Sequence, residues 1–96
     1  MQSVAAGSVE SVKVFPNPLR PYRGQVAMNF NNLPAGSRVR IYTMTGRLLR
    51  DMTANAAGQA VWDGKTAAGV RAASGVYLVL AEGNGTSKTF RVAVER

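Results

Sequence analysis

Apolar and polar residues alternate along the chain in short runs, broken by Gly, Pro and Asn at intervals of roughly 8–15 residues, the spacing of a sandwich or barrel. The last run is the clearest, with Phe90, Val92 and Val94 on one face and Arg91, Ala93 and Glu95 on the other. A period of two is that of a half-buried strand. The same alternation sets Val39 and Ile41 opposite Arg38, Arg40 and Tyr42, and Val26, Met28 and Phe30 opposite Ala27 and Asn29. Seven strands are predicted, over residues 9–15, 25–30, 37–43, 47–53, 58–62, 75–82 and 86–95.

The interruptions say how the strands connect. Pro16-Asn17-Pro18 ends the first abruptly, because proline removes a ladder donor and restricts the residue before it. Thr45-Gly46 closes a hairpin and Gly83-Asn84-Gly85 another, with glycine supplying a positive φ. Residues 63–74 form a long Gly/Ala-rich loop, in which Gly69, with Gly75 just beyond, argues against a helix. The pattern predicts an all-β, seven-stranded, immunoglobulin- or fibronectin-III-like antiparallel sandwich over residues 9–96, with Ile41, Trp62 and Val92 inside. Residues 1–8 read as a linker or cloning remnant. Residues 76–81 are apolar at both parities, so the strand is either covered on both sides or docks a neighbour with its outer face. Tyr77, near the start of that strand, suits a tyrosine corner.

Composition narrows the class. With 96 residues the chain holds one core, and its apolar share of 46% is that of a globular domain. It has no cysteine, which suits a cytosolic protein or a bacterial exported one. No apolar run approaches the roughly 20 residues that span a bilayer, so membrane insertion is not expected. The first twelve residues have neither a basic nor an apolar signal region, so any export signal is expected upstream. Twelve basic residues against five acidic ones give a net charge of +7, which favours anionic partners. The charges are scattered, as on a solubilising surface. One face of a strand gathers Arg38, Arg40 and Tyr42, with Arg91 placed to lie nearby. It is a candidate platform for an anionic glycan. Nucleic acid is a poorer fit, since one tyrosine is thin support for base stacking.

Residues that carry chemistry are scarce. The chain has no histidine, and none of its six serines stands in a Gly-x-Ser-x-Gly elbow. Its carboxylates, Glu10, Asp51, Asp63, Glu82 and Glu95, fall in separate segments without metal-site spacing. No enzymatic activity, cofactor or metal is expected. Pro18-Leu19-Arg20-Pro21 matches a PxxP ligand but reads better as a stiff crossing between strands. Asn84-Gly85-Thr86 is a formal glycosylation sequon and reads better as a hairpin tip.

The order of motifs adds a resemblance. Val14-Phe15-Pro16-Asn17-Pro18 is followed by Asn32-Leu33-Pro34-Ala35-Gly36, Val39-Arg40-Ile41-Tyr42 and Thr45-Gly46-Arg47-Leu48. Trp62-Asp63-Gly64, Ala73-Ser74-Gly75-Val76-Tyr77 and Phe90-Arg91-Val92-Ala93-Val94 complete the series. Over residues 12–95 this resembles the immunoglobulin-like domain of the flagellar hook-capping (FlgD-type) family, and is similar to the C-terminal sorting domains of type IX secretion cargo. The resemblance implies a non-catalytic C-terminal module of an exported bacterial multidomain protein, in the periplasm, on the cell surface or secreted. Its partner would be secretion machinery or an adjacent domain of the parent protein. A sorting role implies a signal on the closing strand, at Arg91, Val92, Val94 and Arg96. Pro16, Asn17, Pro18, Trp62, Asp63, Gly64, Gly75 and Tyr77 are expected to build the fold, Asp63 through an Asx turn followed by a positive φ at Gly64. A binding module with an Arg-rich sheet face is the alternative.

Overall fold

Two antiparallel sheets, of three and four strands, make up the computed structural model, which describes residues 7–96. Most of the expected N-terminal linker therefore lies outside the described residues. The strands are β1 (Lys13–Phe15), β2 (Met28–Asn31), β3 (Arg38–Tyr42), β4 (Leu48–Thr53), β5 (Ala60–Trp62), β6 (Gly75–Gly83) and β7 (Thr86–Val94). One sheet runs β1-β2-β5 and the other β4-β3-β6-β7. A single 3-10 turn at Pro21–Arg23 interrupts the crossing from β1 to β2. No helix among the described residues is long and apolar enough to cross a membrane.

The core lies between the sheets because alternation gives most of the strands one apolar side. Met28, Phe30 and Trp62 come from the first sheet, and Val39, Ile41, Val79 and Val92 from the second, all buried. Two aromatic pairs join the sheets: Trp62 meets Tyr77 edge-on at 6.0 Å between centroids, and Phe30 meets Phe90 at 6.3 Å. Both separations fall in the range where aromatic pairs add to their area burial.

Two segments depart from the alternation. Residues 9–12 were expected to begin the first strand, but the chain turns there, with Val12 N–H donating to the Val9 carbonyl at 3.2 Å. Val9 is still buried, held over β7 by its own N–H on Thr86 Oγ1 at 3.0 Å. Val26, expected to face inward with Met28 and Phe30, is 81% exposed. The chain is still leaving the 3-10 turn at that point, with Gly24 at φ 79° and the Gln25 side chain accepting from Arg20 N–H at 2.6 Å. Alternation begins only where β2 finds partners on both sides.

Candidate functional site

The expected signal residues of β7 divide by parity. Arg91 is exposed, whereas Val92 and Val94 are buried in the core and offer no side chain to a partner of the folded domain. The same period of two that made them legible as strand residues turns them inward. Arg96 lies past the strand and is held by the fold. Its Nε donates to the Ala72 carbonyl at 2.6 Å and its Nη2 to the Gly64 carbonyl at 3.2 Å. Its own N–H donates to Ser74 Oγ at 2.8 Å.

The Pro16-Asn17-Pro18 element finishes the free edge of β7. Both prolines follow cis peptide bonds, and Asn17 lies against the strand. Its Oδ1 accepts from Ala93 N–H at 3.0 Å and its Nδ2 donates to the Arg91 carbonyl at 3.4 Å. Leu19 continues as a parallel bridge to Val94, donating to the Ala93 carbonyl and accepting from Glu95 N–H, each at 2.8 Å. A carboxamide thus does for one residue what a backbone does for the next, and the C-terminal end of the strand, from Arg91 to Glu95, is covered along its outer edge.

The Trp62-Asp63-Gly64 element seals one end of the sandwich. Trp62 has no exposed surface, and its indole N–H donates to the Lys65 carbonyl at 2.8 Å. Asp63 Oδ1 accepts from Lys65 N–H at 3.0 Å, closing an Asx turn, and Gly64 follows at φ 75°. The same oxygen accepts from Arg50 Nη1 at 2.9 Å and so ties the turn to β4. Gly75 is the first residue of β6, and the Tyr77 hydroxyl donates back to the Ala73 carbonyl, four residues upstream, in the arrangement of a tyrosine corner.

The outer face of the four-stranded sheet carries Arg38, Arg40 and Tyr42, but the two arginines already have partners. Arg38 pairs with Asp51 across β4, and Arg40 lies 3.0 Å from Glu82 on β6 and 3.9 Å from Asp51. The register sets β3 between the two acidic strands, which the linear sequence does not display. Tyr42 shares a row with Leu48 on β4, Leu78 on β6 and Arg91 on β7, and the next row holds Val76 and Ala93. Leu48 and Val76 are about half exposed. This face is charged and neutralised at one end and apolar at the other, with Arg91 at its rim.

An open groove of about 550 Å³ lies between the 3-10 turn and the loop of residues 63–71, lined by Tyr22, Val26, Lys65, Arg71 and Arg96 among others. Apart from Arg96, none of these residues carried a functional expectation. Lys65 and Arg71 bracket residues 66–70 symmetrically, and that spacing is the signal that could have paired them.

No protein-family model matches the chain, and no curated protein does. Solved structures do. PorZ, an essential bacterial surface component of the type IX secretion system of Porphyromonas gingivalis, is 37% identical over 96% of this chain, with a TM-score of 0.79. The dimeric latent form of PorU from the same organism is 26% identical over 86% of the chain, with a TM-score of 0.58. The matched segments are 12% and 9% of those proteins, so this chain is similar to a small part of each.

Proposed function

We propose that this chain is a non-catalytic, immunoglobulin-like C-terminal module of an exported bacterial multidomain protein, acting as a sorting or docking unit of a type IX-like system. The observation that carries the reading is the 37% identity to a segment of PorZ, sustained over 96% of the chain. Fold alone gives no function, but identity sustained over a whole domain supports a shared setting, at the cell surface or beyond it. The two-sheet core supports the immunoglobulin-like assignment. With Val92 and Val94 inside, recognition falls to the outer side of β6 and β7, where Val76, Leu78, Ala93 and Arg91 mix apolar and basic groups.

The test fuses the chain to a periplasmic reporter in a host with a type IX system. The wild-type fusion should reach the surface, and the V76S/R91E double variant should stay in the periplasm while keeping its near-ultraviolet circular dichroism. A wild-type fusion that never leaves the periplasm would replace sorting with a scaffold role like that of the hook-capping domain.

A further inference from the structure

The geometry points to the groove between the 3-10 turn and the 63–71 loop as a binding site for an acidic peptide segment that carries an apolar side chain beside its carboxylates. The loop is a miniature hairpin. Lys65 and Arg71 face each other in an isolated antiparallel bridge, with Thr66 N–H donating to the Val70 carbonyl at 2.7 Å and Ala72 N–H to the Gly64 carbonyl at 2.8 Å. Directly opposed residues put their side chains on the same side, and like charges in that position repel. A third cation joins them, because the Arg96 guanidinium is fixed on the carbonyls of Gly64 and Ala72, the residues just outside the pair.

Among the described residues, no carboxylate is ion-paired with Lys65, Arg71 or Arg96. Asp63, the one acid lining the groove, is paired with Arg50. An anion set among the three cations would gain their attraction without first displacing a carboxylate partner.

The opposite wall is apolar and uncovered. Tyr22 is 64% exposed and Val26 81%, above the buried Leu19. Three cations on one side and an apolar wall on the other fit a chain that alternates carboxylates with apolar groups. A glycan would instead need amide and carboxylate partners for its hydroxyls, and of the two in the groove the Asp63 carboxylate is paired with Arg50 and the Gln25 oxygen accepts from Arg20 N–H. A nucleic acid would need more than one aromatic platform. The volume suits two or three residues of a peptide, within the roughly 300–1,000 Å³ of ordinary ligand sites.

This inference does not depend on the secretory reading. Its test is fluorescence anisotropy on the 96-residue chain with a labelled, end-capped peptide of alternating glutamate and leucine. Binding should saturate, and Lys65→Glu and Arg71→Glu should each weaken it by about tenfold or more, the scale of one lost charge contact. Val26→Ser should weaken it severalfold, and Arg91→Glu, on the outer sheet face, should leave it within about twofold. Near-ultraviolet circular dichroism of Trp62 checks that each variant is folded. Absence of saturable binding, an equal loss from Arg91→Glu, or tighter binding of a sulfated polysaccharide of the same charge would each overturn the assignment.

Discussion

Replacing Gly83 with alanine asks whether two strands meet as closely as the structure places them. Gly83 ends β6 without the positive φ seen at eight other glycines, so its backbone suits any residue. Alanine in such a position ordinarily adds about 0.4–1 kcal/mol by restricting the unfolded chain. Here a Cβ would lie 2.1 Å from Ser37 Oγ and 3.0 Å from Ser37 Cβ. Ser37 is 1% exposed, and its hydroxyl donates to the Pro34 carbonyl at 2.6 Å. To make room the hydroxyl must turn away and lose its partner, which costs about 1–3 kcal/mol for a buried group. The Cβ contact adds an overpacking cost of about 1–3 kcal/mol. Offset by the chain-entropy gain, Gly83→Ala should destabilise by about 1–5.5 kcal/mol. The same change in a Ser37→Gly background should cost under about 1 kcal/mol, because the clash has gone. Urea titrations followed by the fluorescence of Trp62, the one tryptophan, give both values from midpoint and slope. A stabilised Gly83→Ala, or equal costs in the two backgrounds, would refute the close approach.

Two further changes, with Arg91→Ser as the comparison, test the ends of the sandwich. Trp62→Ala should cost about 3–5 kcal/mol, the range for a large aromatic removed from a core, and a loss below about 1 kcal/mol in urea would contradict its burial. Arg96→Ser should lower stability by about 1.5 kcal/mol or more, since a charged donor leaves two backbone carbonyls, whereas Arg91→Ser should stay within about 0.5 kcal/mol. Equal midpoints for these two arginine variants would mean that Arg96 is as free as Arg91.

Most of the strands were readable because one face packs on the core, and a period of two survives in sequence wherever the chain is paired into a sheet. It failed where that condition fails. Val9 is buried without belonging to a strand, and Val26 keeps the parity of β2 but precedes its pairing. The loop chemistry of Trp62-Asp63-Gly64 was legible for a local reason, since an Asx turn spans only neighbouring residues. The charge pattern was not, because Arg38 and Arg40 owe their neutralisation to Asp51 and Glu82 on two other strands. Arg96 was expected only as part of a signal on the closing strand, and nothing local indicates the Gly64 and Ala72 carbonyls that hold it. Val92 and Val94 carried two expectations, core and signal, and the core reading is the one their burial fits.

The seam along the edge of β7 also sets an order of events during synthesis. Its contacts join residues 74 to 78 positions apart, from Asn17 with Arg91 to Glu10 with Lys88. A chain emerging from its N-terminus therefore has residues 9–19 in hand long before the strand they cover. Until β7 is released, β6 lacks a neighbour on that side and presents an open edge of the kind that recruits other chains. Closure of the seam waits on that release, and domains dominated by non-local pairings ordinarily fold in milliseconds to seconds. The nascent domain thus spends most of its elongation in a form that a chaperone or an export factor can still hold open.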